Sequence, residues 1–138
     1  MSSQTPNMAL TAKLNKYAFR QISMLTVQFL LGMAASFIGT DAKGATKVVG
    51  ATVVALHIAV AIGLVIVAGL LVRTAEKVSE TAKRVAFFGV GIIIATFVAG
   101  VLSLKTGSNW WSYAMSVGFM AAILLYGKLY VDSRSVIR

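Results

Sequence analysis

The chain has 138 residues, 58% of them hydrophobic and only 12% charged, with a mean hydropathy of +0.84. A water-soluble domain carries roughly 25% charged residues, so composition excludes an ordinary soluble enzyme. The lack of cysteine excludes disulfides, thiol redox chemistry and Cys-ligated metal or iron–sulfur centres.

In chain order, residues 1–12 are small and polar, carry the sole proline, Pro6, and predict a flexible N-terminal segment. "KLNKYAFR", 13–20, interleaves basic and aromatic residues, as a headgroup anchor does. Four stretches then contain no Asp, Glu, Lys or Arg: 21–40, 48–72, 85–104 and 108–127. About 20 residues suffice to cross a hydrocarbon core of about 30 Å as a helix. These stretches are continuously apolar rather than alternating, which favours helices over a β-barrel. The expected fold is all-α: an integral membrane, up–down four-helix bundle in one domain, with helices over 20–40, 48–73, 85–104 and 109–130. The first span exceeds the 7–15 or so residues of a signal-peptide core and is read as retained. The segment "VRTAEKVSETAKR", 72–84, continues the second helix past the membrane before a tight return, with Glu80 and Arg84 spaced as an exposed ion pair. "KTGSN", 105–109, reads as a turn at Gly107 with Ser108 or Asn109 starting the last helix.

Charge placement gives the net +9 its meaning. Lys13, Lys16, Arg20, Arg73, Lys77, Lys83, Arg84, Lys128, Arg134 and Arg138 fall on one side of such a bundle; Lys43, Lys47 and Lys105 fall on the other. By the positive-inside rule both termini are cytoplasmic. The expected location is a bacterial cytoplasmic (inner) membrane, the expected partners are the lipid bilayer and other copies or membrane subunits, and nucleic acid is not expected. Trp110, Trp111 and Tyr113 are candidate anchors at the outer interface, and Tyr17, Phe19, Tyr126 and Tyr130 at the inner one.

Lipid tails are as apolar as leucine, so helices in a membrane associate through small residues and interhelical hydrogen bonds. The candidate packing strips are Gly32 and Ser36, with Gln28, on the first helix; Ala51, Ala55, Ala59 and Gly63 on the second; Gly91, Ala95, Ala99 and Ser103 on the third; and Ala114, Gly118 and Ala122 on the fourth. The second helix has another face, Gly50, Val54, His57, Ala61, Leu64 and Ala68, suited to a second contact, either within its own bundle or with another subunit. "FLLGMAASFIGT", 29–40, also aligns with "FVAGVLSLKTGS", 97–108, as a possible internal repeat.

His57 is the only histidine and would lie about 13 Å below the outer surface, where an ionisable group is a functional candidate. Three roles stand open: a packed residue bonded to a carbonyl or to Gln28, Ser36, Ser103 or Ser116; an axial ligand of a b-type haem, with Met33, Met115 or Met120 as possible second ligand; or a quinone or proton contact. "QFLLG", 28–32, followed by "LHIAVAIGL", 56–64, resembles the Q-x-x-L-G and L-H-x-x-x-A-x-G spacing of haem-A-synthase-type bundles and small four-helix relatives. The resemblance covers the first two helices and implies a haem-facing role for His57. Those enzymes pair histidines and carry acidic or cysteine residues at the outer helix ends, whereas this chain has one histidine and no cysteine.

No catalytic constellation is present: no intramembrane carboxylate pair, Ser–His–Asp set, metal cluster or phosphate-binding loop. The leading expectation is a non-enzymatic accessory or structural subunit without a cofactor, packed in a homo-oligomer or larger complex. The alternatives are an electron-transfer protein holding haem b or quinone at His57, and an oligomeric channel.

Overall fold

The computed structural model describes residues 7–38 and 43–137. They form α1 (Met8–Ile38), α2 (Ala45–Glu76), α3 (Glu80–Thr106) and α4 (Asn109–Ile137), with no strand among the described residues. All four helices are long and apolar enough to cross a membrane. They hold 27 to 32 residues each. At 1.5 Å per residue that is about 40–48 Å, longer than the roughly 30 Å apolar core. Each helix is therefore longer than such a core is thick.

Each helix is longer than its uncharged stretch, and local caps mark several of the ends. Part of the segment expected to be flexible is helix: α1 starts at Met8, with Asn7 Oδ1 accepting from the backbone N–H of Ala9 (3.1 Å) and Leu10 (3.3 Å). Residues 1–6 lie outside the described residues, as do Gly39 and Thr40 of the possible repeat. The Ser79 hydroxyl accepts from Ala82 N–H at 3.1 Å and starts α3 immediately after α2 ends. Gly107 closes α3 in the left-handed conformation, φ 63°, which only glycine adopts without steric cost. The Glu80–Arg84 pair forms at 3.5 Å, and Lys83 also reaches Glu76 across the return at 3.3 Å.

Helix α1 packs on α2 and α4, and α3 packs on the same two, closing a four-membered ring in which no diagonal pair of backbones approaches closely among the described residues. Apart from Thr74 and Ala99, the buried residues fall in one 3-4 stripe per helix: Thr11, Leu14, Ala18, Gln21, Leu25 and Gln28 on α1; Leu64, Ala68, Leu71 and Ala75 on α2; Ala82, Ala86, Gly89, Ile93 and Thr96 on α3; Phe119, Ala122, Tyr126, Leu129 and Ser133 on α4. This 3.5-residue repeat is the seam of left-handed helix packing. Contacts run in opposite order along neighbouring helices. The Asn15 amide donates to the Tyr130 carbonyl (2.8 Å) and the Ser133 hydroxyl (2.9 Å), whereas Phe29 meets Phe119 edge-on.

The stripe on α2 corrects the packing expectation. Ala51, Ala55 and Ala59 are exposed on the outside of the bundle, and the face carrying His57, Ala61, Leu64 and Ala68 turns inward. Gly91, Ala95 and Ala114 are likewise exposed, whereas Gly63, Ala99, Ser103, Gly118 and Ala122 are buried or partly buried. Helices surrounded by lipid carry apolar residues on every face, so small side chains alone do not say which face turns in; buried polar groups do. Tyr126 is a second correction. Expected as an interface anchor, it is fully buried, 0% exposed, because its ring fills the space opposite Gly89.

Candidate functional site

The two halves of the bundle pack differently. At the end bearing most of the basic residues, the stripes interdigitate around Tyr126, Leu14, Leu25 and Leu71. Gln21 bridges helices there, its Nε2 donating to the Leu64 carbonyl at 3.1 Å. Gln21 was not among the candidates from sequence; its signal was a seven-residue spacing from Gln28, on the same heptad position.

Towards the other end the inward side chains shrink. Gly32 and Ala35 on α1, Ala61 on α2 and Gly100 on α3 surround a cavity of about 360 Å³. The equivalent glycines of the possible repeat, Gly32 and Gly100, both line it. A smaller hollow of about 310 Å³ between α1 and α4 shares Gly32, Ser36 and Met115 with it. The cavity wall is mostly apolar, and both Gln28 and His57 belong to it.

His57 packs against Gly32: a Cβ there would lie 3.2 Å from the imidazole Cε1 and 3.7 Å from Nδ1. The absent side chain gives the ring its place beside α1, near the Gln28 backbone carbonyl. None of the four side chains expected to bond His57 does so. Ser36 donates to the Gly32 carbonyl (3.1 Å), Ser103 pairs with Ser112 (2.7 Å) and Ser116 donates to the Ser112 carbonyl (3.0 Å). His57 Nδ1 and Gln28 Oε1 are both buried without a hydrogen-bond partner. Gln21 Oε1 and the Tyr126 hydroxyl share that condition in the tighter half. A buried polar atom without a partner costs about 1–3 kcal/mol, and two of the residues that carry one, Gln28 and His57, are among those lining the cavity.

Of the methionines considered as second haem ligands, Met115 lines the same cavity as His57, whereas Met33 and Met120 are exposed. No cluster of three or more His, Cys, Asp or Glu able to hold a metal ion occurs among the described residues. Thr26, Thr52 and Ser116 are exposed on three different helices and bond carbonyls of their own helix. Among the aromatic anchors, Trp110 (77%) and Tyr113 (64%) are largely exposed and meet edge-on, and Trp111 is exposed less fully. Tyr17 and Tyr130 are partly buried, with Lys13 over the first ring and the Arg134 guanidinium bonded to the second hydroxyl at 3.0 Å.

The arrangement is a mostly apolar cavity within the bundle, with Gln28 and His57 among its lining residues. No family model, characterised protein or solved structure matches this chain.

Proposed function

We propose that this chain is a non-enzymatic subunit of a bacterial cytoplasmic membrane, an up–down bundle with both termini cytoplasmic, that holds a lipophilic small molecule beside Gln28 and His57. The observation that carries the reading is the mostly apolar cavity of about 360 Å³ with Gln28 and His57 among its lining residues. Ligand pockets of about 300–1,000 Å³, apolar with a few placed polar groups, are the common form. The contact order along neighbouring helices supports the up–down arrangement, and the basic residues at one end support the orientation.

A second reading, a b-type haem, is favoured by His57 and Met115 sharing that cavity. His57 and Met115 would hold such a group, and it would supply one-electron transfer. The cavity lies at the small end of the pocket range, which suits a single-tailed molecule better than a macrocycle. The exposed Ala51, Ala55 and Ala59 strip on α2 supports assembly with a second copy or a larger complex.

Purification in mild detergent, followed by solvent extraction and mass spectrometry, tests the main reading. A stoichiometric lipophile that is lost on Ala61→Phe, which fills the cavity, is expected. A colourless protein with no stoichiometric lipophile in either form would overturn it. A Soret band abolished by His57→Ala would establish the haem reading instead.

A further inference from the structure

The cations at the end bearing most of the basic residues are not equally engaged. On α3 and α4 acids neutralise them: Lys83 lies 3.3 Å from Glu76, Arg84 lies 3.5 Å from Glu80 and Lys128 lies 2.6 Å from Asp132. Arg134 is held by the Tyr130 hydroxyl. Lys13, Lys16 and Arg20 on α1, and Arg73 and Lys77 at the end of α2, are exposed and have no acid partner among the described residues. Helix α1 contains no Asp or Glu at all. Spacings of three and four put Lys13, Lys16 and Arg20 on one face of it, and the row continues to Met24, whose methyl packs at Gly63 of α2. The Gln21–Leu64 bond sets the antiparallel register, which brings Arg73 and Lys77 level with the first turns of α1. Further along α1 the same face turns apolar and stays exposed, at Val27 and Leu30.

We infer that the α1–α2 edge at this end binds the phosphodiester head of an anionic phospholipid, with the acyl chains lying along α1. The inference goes beyond the proposed function: it takes the bilayer from that reading and nothing from the cavity. A cation without a partner is available to an incoming anion, whereas a lysine already bridged to a carboxylate presents a nearly neutral pair. Each basic residue near an anionic lipid surface strengthens attraction about fivefold, so the unpaired row on α1 outweighs the paired cations of α3 and α4. A phospholipid meets both parts of the face at once, its phosphate at Lys13, Lys16 and Arg20 and its chains at Val27 and Leu30. Free phosphate meets only the first part. A zwitterionic lipid carries the same phosphate but brings its own cation beside it, and gains little from the row.

The test titrates the purified, lipid-depleted protein in non-ionic detergent with dioleoyl phosphatidylglycerol or dioleoyl phosphatidylcholine, and counts bound copies by native mass spectrometry. Saturable binding of phosphatidylglycerol is expected, about tenfold or more tighter than that of phosphatidylcholine. Two triple variants then remove the same amount of charge. Lys13→Gln with Lys16→Gln and Arg20→Gln should lose about tenfold or more of the phosphatidylglycerol affinity. Lys83→Gln with Arg84→Gln and Lys128→Gln should lose less than about twofold, because those cations were already neutralised. Ala61→Phe, which fills the cavity, should leave the affinity unchanged, so this site and the cavity lipophile stand or fall separately. Equal binding of the two lipids by the unaltered protein would overturn the inference, whatever the variants do. Equal losses in the two triples would show attraction to net charge alone and remove the site. Displacement of phosphatidylglycerol by an equal concentration of inorganic phosphate would rule out a lipid as its occupant.

Discussion

Tyr126 fills the notch left by Gly89: a Cβ built on Gly89 would lie 2.6 Å from Cζ and 2.7 Å from the hydroxyl oxygen of Tyr126. Both atoms belong to a ring buried on all sides, so neither can swing into solvent. Gly91, two residues on, faces outward with nothing within 4 Å of such a Cβ. Gly89→Ala is therefore expected to destabilise by about 1–3 kcal/mol through overpacking. Gly91→Ala should be neutral or gain up to about 1 kcal/mol from helix propensity. Unfolding in mixed micelles by SDS titration measures both, and equal effects would contradict the packing.

Gly118 and Thr96 make the corresponding contact nearer the cavity, where a Cβ on Gly118 would collide with the Thr96 hydroxyl. Gly118→Ala should lose stability in an otherwise unaltered chain and lose much less beside Thr96→Ala. A double-mutant cycle should return a coupling of about 0.5–3 kcal/mol, as contacting residues do.

The Tyr126 hydroxyl is buried without a partner. Tyr126→Phe keeps the ring and deletes only the oxygen, so stability should hold or rise by up to about 1 kcal/mol. Tyr126→Ala empties the site and should cost about 3–5 kcal/mol. The same SDS titration distinguishes this from an anchoring role, in which loss of the hydroxyl alone would be harmful.

The orientation is testable because the chain has no cysteine of its own. With a single cysteine at exposed Thr106, a membrane-impermeant maleimide should label intact spheroplasts. With one at exposed Ser135, labelling should require opened membranes. The reverse pattern would invert the topology.

Lipid as solvent was legible in the sequence, because four long uncharged stretches admit no other folded state for so few residues. The Gly107 turn and the Glu80–Arg84 pair were legible too, being short-range chemistry. The inward face of each helix was not. In water, a helix advertises its buried side by contrast with a polar one; in lipid that contrast vanishes, and the alanine strip of α2 looked as good a seam as the face that packs. The larger polar groups of the spans did turn inward, as Gln21, Gln28 and His57 show, but the small hydroxyls divided, Thr96 and Ser133 lying inward and Thr26, Thr52 and Ser116 exposed.

The sequence by itself determined that this chain is helical, has four spans apolar enough to cross a membrane and carries most of its cations at one end, since each follows from local composition and the cost of burying charge. Only the tertiary structure decided that Tyr126 is core and that the alanine strip of α2 faces out. It also decided that Gln28 and His57 share a cavity, because these depend on which side chains from different helices arrive at the same level. Small residues on three helices coincide there without a large one to fill the gap, and no single-helix pattern carries that coincidence.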